Sequence, residues 1–503
     1  MSLEIELKLA LPEAAQRAFL RHAIVRAAAA APTHKLHNIY FDTPDLELYR
    51  HGIAVRLRRQ GRQWLQTVKC EGVVAGGLST RPEWEQPYVG DAFDFSLVED
   101  GTVRRRLERT QHQGRLGPVF ETTFARRSWY IPSSGPNTLT MVLDRGTIEA
   151  ADRSEPISEI EIEVEGADTT ALFNTALALA ADLPLKPGAL SKAQRGYALY
   201  RGDEPAPVFA KGSCLDKRFS PAQAFRAVAL QCIEHCQGNE HGALTSDDPE
   251  FIHQMRVALR RLRSAMRLFR PALPPDFVPM FAPQLRRLAG ALGAARDWDV
   301  VIDELLAPIR AAFPGDARLM QLVDAAERQR RSARKEALKA LQAPAYGRLL
   351  LELIAALHAP AFDVADTALD LRRFAARRLR KLRRRTAALA QAALDLDVDS
   401  LHALRVGVKR LRYATEFFSP LRRRAATRQE IATLAKLQTR LGRVNDFANA
   451  RRLLTECAGE DAAAREVLAL VAGWYGPRLE ALFAELPKRI SALARIERGR
   501  RTT

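Results

Sequence analysis

Two segments far apart in this chain read the same way: Glu4-Ile5-Glu6-Leu7-Lys8 near its start and Glu159-Ile160-Glu161-Ile162-Glu163 much later. Alternation of charged and aliphatic residues is the period of a β-strand, whose side chains point to opposite faces in turn. Glu4, Glu6 and Lys8 therefore share one face, with Ile5 and Leu7 on the other, and Glu159, Glu161 and Glu163 share a face too. Two such strands facing each other would gather carboxylates that need hard cations to coexist. Alternating or β-branched segments recur near 36–42, 53–60, 64–70, 80–88, 119–131, 138–145 and 157–165. With 3–10 they make about eight strands, enough to close a small barrel. Helices are expected over 12–29 and 168–182.

At 503 residues the chain exceeds a single core, so two or three domains are expected. Its net charge of +18 is uneven: residues 1–214 hold 26 Lys and Arg against 27 Asp and Glu, and residues 215–503 hold 51 against 32. The basic half calls for a polyanionic partner, whether nucleic acid, anionic membrane or polyphosphate. Five cysteines without paired spacing make no disulfide framework, which fits a reducing cytoplasm. No apolar run approaches a membrane span. Glu4 and Glu6 stand where a signal peptide would be positive, so a soluble cytoplasmic protein is expected.

Gly202-Asp203-Glu204-Pro205-Ala206-Pro207 reads as a linker, and beyond about 217 the pattern is helical almost throughout. The helical half repeats itself. His253 to Arg263 (HQMRVALRRLR) matches His402 to Arg412 (HALRVGVKRLR), and Leu292 to Asp297 matches Leu441 to Asp446, both at a spacing of 149 residues. One spacing for two separate matches argues for duplication of a unit long enough for about four helices. The expected boundaries are 1–203, a linker over 204–216, and 217–503 as repeats of about 217–365 and 366–503. The expected architecture is an eight-stranded antiparallel β-tunnel with flanking helices, followed by an all-α pair of related four-helix bundles.

If the strands close into a tunnel, its inward residues include Glu4, Glu6 and Lys8, then Arg56 and Arg58, Lys69, and Arg81 with Glu83 and Glu85. Arg127, Asp144, Glu159, Glu161 and Glu163 complete the set. Carboxylates with open water positions suit Mg²⁺ or Mn²⁺, and Arg and Lys suit phosphate oxygens. Together they describe a site for a metal-bound oligophosphate. Alternating polar residues also mark the wet face of any antiparallel sheet, so enclosure decides between the two.

The same half resembles the CYTH family, the triphosphate tunnel metalloenzymes. Glu4-x-Glu6-x-Lys8 matches its N-terminal motif. Tyr40-Phe41-Asp42-Thr43, Val55-Arg56-Leu57-Arg58, Thr67-Val68-Lys69 and Arg81-x-Glu83-x-Glu85 follow in order. Leu143-Asp144-x-Gly146, Glu159 to Glu163 and Ser191-Lys192-x-x-Arg195-Gly196 complete the match. The resemblance implies an antiparallel tunnel that hydrolyses inorganic triphosphate with a divalent metal. By carry-over Glu4, Glu6, Glu161 and Glu163 hold metal, with Glu159 and Asp144 as further candidates. Asp144 would also hold or activate the attacking water, and Lys8 would restrain the acids or contact phosphate. Arg56, Arg58, Lys69, Arg81, Arg127 and Lys192 would grip the phosphates. A nucleotide triphosphatase or adenylyl cyclase on the same fold is the alternative enzyme, although no base pocket is visible.

In the first repeat Met255, Leu259, Leu262, Met266 and Phe269 follow core spacing, while His253, Arg256, Arg260, Arg263 and Arg267 form a basic stripe. His402, Arg405, Lys409 and Arg412 repeat it. A basic stripe is the footprint of polyanion binding. These repeats resemble the CHAD domain, and the resemblance implies binding of inorganic polyphosphate and association with polyphosphate granules. The second copy departs at Asn445-Asp446-Phe447-Ala448, where the first reads Arg296-Asp297-Trp298-Asp299. A non-enzymatic polyphosphate or nucleic-acid binder is the third reading, and sparse aromatics on the basic helices disfavour nucleic acid. Cys232, His235, Cys236 and His241 lack a secure zinc geometry and read as structural residues.

Overall fold

The computed structural model describes residues 4–70, 73–75, 77–80, 82–90, 92–132, 138–165, 169–360, 362 and 370–499. They fall into two compact units, Met1–Ala206 with Ala343–Ala359, and Pro207–Gln342 with Pro360–Thr503.

The first unit is built on one antiparallel sheet. Its strands are β1 (Glu4–Ala10), β2 (Ala29–Ala30), β3 (His34–Asp42), β4 (Ile53–Gln60), β5 (Gln63–Cys70), β6 (Val73–Ala75), β7 (Leu78–Thr80), β8 (Glu83–Pro87), β9 (Gly117–Pro132), β10 (Thr138–Ala150), β11 (Arg153–Glu165) and β12 (Lys186–Pro187). The order is β6-β7-β1-β11-β10-β9-β3-β4-β5-β8, with β12 added to β1 and β2 to β9. The two acidic strands are neighbours, with Glu6 opposite Glu163, Leu7 opposite Ile162 and Lys8 opposite Glu161. On the next ladder Asp144 stands opposite Glu159, and on its other side opposite Arg126. Alternation then sorts the faces: Leu7, Leu9, Met141, Leu143, Ile160 and Ile162 are fully buried on one side. The polar face is enclosed as well, because Glu6 is 7% exposed, Glu161 4% and Asp144 0%.

Helices Thr170–Asp182 and Lys192–Arg201 flank the sheet, the latter packed on β9, β10 and β11. Ser191 and Gln194 form a capping box at its start. Gly196 lets the helix lie against the sheet, since a Cβ there would fall 2.1 Å from Phe120 Cε2. The helix expected over 12–29 is broken into Glu13–Ala15, Gln16–Arg21 and Ala23–Ala27, where the His22 ring restarts the chain by accepting from the Ile24 N–H. Gly101–His112, a helix outside the expected elements, is capped by Asp100.

Helix Pro344–His358 packs on Thr170–Asp182 and β12, so a stretch from within the helical half of the sequence belongs to the first unit.

The second unit is predominantly helical. Pro221–Gln237, Pro249–Phe269, Phe277–Asp299 and Ala317–Gln342 form the first set, with the short Glu240–Thr245 between the first two. Leu371–Ala392, Val398–Phe417, Arg424–Ala458 and Ala462–Gly499 form the second. Met255, Leu259, Leu262, Met266 and Phe269 are buried as their spacing requires. Phe269 packs on Phe374 and Phe418, which joins the two sets through one aromatic cluster. Among the described residues no helix is long and apolar enough to cross a membrane.

Candidate active site

A cavity of about 400 Å³ opens on the polar face of the sheet. Glu6 and Lys8 come from β1, Arg56 and Arg58 from β4, Lys69 from β5 and Glu83 from β8. Arg126 comes from β9, Glu161 and Glu163 from β11, and Ser191, Lys192, Gln194 and Tyr197 from the helix that covers one side.

The acids form one wall. Glu6, Glu161 and Glu163 each offer an oxygen within 4.8 Å of the others, and Asp144, Glu159 and Glu161 do the same. Three cations are threaded among them. Lys8 bonds Glu6 and lies 3.2 Å from Glu161. Lys192 reaches Asp144 at 2.7 Å and Glu161 at 2.9 Å, and also Glu159. Arg126 donates to both Asp144 oxygens, at 2.8 and 2.6 Å, and to Glu161. Burial works against charge on Glu161, but Lys192, Lys8 and Arg126 outweigh it and hold its carboxyl well below the ordinary range. Burial likewise opposes the Lys192 ammonium, yet Asp144, Glu159 and Glu161 keep its pKa above the usual lysine value.

The opposite wall is cationic. Arg56 Nη2 lies 3.5 Å from Glu83, while its Nε and Nη2 are buried without a hydrogen-bond partner. Arg58 donates to Asn38 at 3.0 Å, and burial together with Arg56 lowers its pKa to about 10. Lys69 pairs with Glu83.

The second unit holds a larger groove, about 850 Å³, where the two basic stripes meet. His253, Arg260 and Arg261 line it from helix Pro249–Phe269, and Arg405, Lys409 and Arg412 from Val398–Phe417. Lys211 and Arg443 add further charge. Burial, then Arg405, Arg260 and Arg256, lower the Lys409 pKa to about 7. Burial and Arg296 lower that of His253 to about 4, so its ring is neutral at pH 7.

Comparison with known families matches each half of the chain to a domain family. The family model of the CYTH domain matches residues 2–197, and that of the CHAD domain matches 227–455. The chain carries a CYTH domain followed by a CHAD domain. An inorganic triphosphatase of Haemophilus influenzae is 30% identical over 170 residues, covering 33% of this chain and 46% of that protein. The chain thus matches about half the length of that relative. An uncharacterized protein of Mycobacterium tuberculosis is 27% identical over 467 residues, covering 87% of this chain and 86% of that one. The crystal structure of the CHAD domain from the plant Ricinus communis superposes with a TM-score of 0.51 at 34% identity, covering 57% of this chain and 96% of that one.

The CYTH unit brings together Glu6, Lys8, Arg56, Arg58, Lys69, Asp144, Glu159, Glu161, Glu163 and Lys192. Arg81 lies outside the described residues, as does the side chain of Glu4. Arg127 does not join the cavity: it stacks over Trp129, with its guanidinium carbon 5.1 Å from the ring, and Arg126 takes the inward place. In a tandem Arg-Arg a one-residue slip of parity exchanges the faces, and only the pairing of Arg126 with Asp144 fixes it.

In the CHAD groove, His253, Arg260, Arg405, Lys409 and Arg412 line the cavity, whereas Arg256, Arg263 and His402 are not among its lining residues. Arg256 donates to Asp297 at 2.9 Å, and His402 Nδ1 lies 2.9 Å from Asn445 Oδ1. Neither histidine caps its helix, since Asp248 and Asp397 do so. Arg261, Lys211 and Arg443 were not anticipated; Arg261 sits on the core side of its helix by spacing, and Glu416 accepts its charge at 2.6 Å. Cys232 and Cys236 are buried, and His235 Nε2 lies 3.1 Å from Gln254 Oε1.

Proposed function

We propose that the CYTH unit hydrolyses inorganic triphosphate with a divalent metal and that the CHAD unit binds inorganic polyphosphate. The observation that carries the first part is the enclosed cavity in which a carboxylate wall faces a cationic one.

The residues fit the metal unequally. Lys192 reaches Asp144, Glu159 and Glu161 together, whereas in the set Glu6, Glu161 and Glu163, whose oxygens lie close enough to share an Mg²⁺ or Mn²⁺, the ion would take over from Lys8, which bonds Glu6 and lies 3.2 Å from Glu161. An ion there would neutralise phosphate charge and make bound water more acidic. Arg56 offers Nε and Nη2, which make no hydrogen bond, to the phosphate oxygens, and Arg58 stays charged at neutral pH beside it. Lys69, Lys192 and Arg126 stabilise charge that builds on the equatorial and leaving oxygens. Asp144 is engaged by Arg126 and Lys192 through both oxygens, so we assign it to aiming those cations rather than to taking a proton from water.

In the CHAD unit, Arg260, Arg405, Lys409 and Arg412 form a continuous run of donors for a phosphate chain, which would place the protein at polyphosphate stores in the cytoplasm. Joining the two activities would raise the local concentration of phosphate chains near the cavity.

The test is purified protein with Mg²⁺ or Mn²⁺ and a panel of tripolyphosphate, ATP and long polyphosphate. Phosphate release from tripolyphosphate, lost in Glu6→Gln and Glu161→Gln with polyphosphate binding intact, is the expected result. Pyrophosphate release from ATP as the main reaction would replace this reading with a cyclase.

A further inference from the structure

The connection between helix Thr170–Asp182 and the helix that carries Lys192 has almost no structure of its own. Only the two-residue strand β12 lies within it, pairing Pro187 with Leu9 and Lys186 with Ala10. Yet this segment adjoins the backbone of two of the cavity's cations. The Gly188 N–H donates to the Lys8 carbonyl at 2.8 Å, and Ser191 begins the helix whose first residue is Lys192.

Helix Pro344–His358 closes on that segment from outside the tunnel sequence. Gly347 meets it backbone to backbone, so that a Cβ would fall 2.1 Å from the Leu185 carbonyl oxygen and 2.9 Å from Lys186 Cγ. The Lys186 ammonium sits 5.4 Å from the centre of the Tyr346 ring. Arg348 donates to the Ala180 and Ala181 carbonyls at 3.1 and 2.6 Å, satisfying the end of helix Thr170–Asp182. His358 stacks on Phe173 at the far end, 5.7 Å between ring centres. Tyr346 and Gly347 thus hold the connection at Leu185 and Lys186, while Arg348 and His358 hold the helix that leads into it.

We infer that Pro344–His358 is a positioning brace for the triphosphate cavity, acting through Leu185–Gly188 on Lys8 and Lys192. This rests on the hydrolytic reading above. A loop left to itself would cost entropy to order each time substrate binds, and a packed helix removes that cost in advance. The brace touches neither substrate nor metal. Its effect is on where the lysines stand.

The experiment uses the full chain with Gly347→Leu, Arg348→Ala and Arg348→Lys, each also in a Lys8→Gln/Lys192→Gln background. Hydrolysis of tripolyphosphate is measured with binding of the hydrolysis-resistant imidotriphosphate by calorimetry, and folding is followed by thermal melting. Gly347→Leu and Arg348→Ala are expected to raise KM and weaken imidotriphosphate binding about tenfold, with Arg348→Lys between, and to add nothing once both lysines are gone. Should Gly347→Leu fail to fold, the Arg348 pair carries the test. Variants that melt earlier but keep wild-type KM and affinity when folded would reduce the helix to packing and overturn the inference, as would effects that add to the double lysine variant. A wild-type chain that neither hydrolyses nor binds triphosphate would instead end the hydrolytic reading.

Discussion

Lys409 shows how one side chain can be tuned by its neighbours. Crowded by burial and by Arg405, Arg260 and Arg256, it titrates near pH 7 in the free groove. A bound polyanion favours the charged form and raises that pKa. Below about pH 7 the ammonium is already charged and binding takes up no proton; above it, binding must protonate Lys409 and affinity falls as pH rises. Polyphosphate affinity should therefore weaken up to tenfold between about pH 7.5 and 8.5, with proton uptake visible as buffer-dependent heat. Lys409→Arg should bind without this slope. In the CYTH cavity, Arg126→Ala should cost about 100-fold in kcat/KM for tripolyphosphate, and Arg127→Ala less than about threefold, in steady-state assays. That contrast tests a place where local pattern misled. The alternation of Glu159, Glu161 and Glu163 identified its own inward face, because every second residue was aliphatic. Arg126-Arg127 carries no such contrast, so only the cross-strand partner Asp144 reveals which one is enclosed.

At the level of elements, the helix that begins at Lys192 is held by its cap and by a glycine. Ser191→Ala removes an oxygen that accepts from Gln194 and should destabilise the CYTH unit by about 1 kcal/mol in chemical denaturation. Gly196→Val should cost more, about 1–3 kcal/mol, because Phe120 occupies the space its side chain would need. The strands were legible because alternation is a strong signal over many residues. Gly101–His112 was not: its charged run Arg104-Arg105-Arg106 interrupts any apolar stripe, and only Val103 and Leu107 mark an apolar side. The paired basic helices were legible through repetition, since two copies of one pattern constrain each other. Which of their cations share a groove depended on how the copies pack, and Arg263, on the same stripe as Arg260, falls outside it.

At the scale of the whole chain, the net charge resides almost entirely beyond residue 214, so binding of long polyphosphate should weaken steeply with salt while tripolyphosphate KM changes less. Titrations between about 0.05 and 0.5 M salt would show the two slopes. The return of Ala343–Ala359 to the first unit was invisible to periodicity, because an apolar stripe does not announce its partner. Its timing matters during synthesis. The first 206 residues leave the ribosome well before Ala359, and at about 5–20 residues per second the gap lasts roughly 10–30 seconds. Through that interval Phe173 and Leu185 wait without His358 and Gly347. A nascent chain stalled just after residue 206 should thus be more open to protease than one stalled after residue 400, because the first unit is completed only once residues 343–359 have been translated.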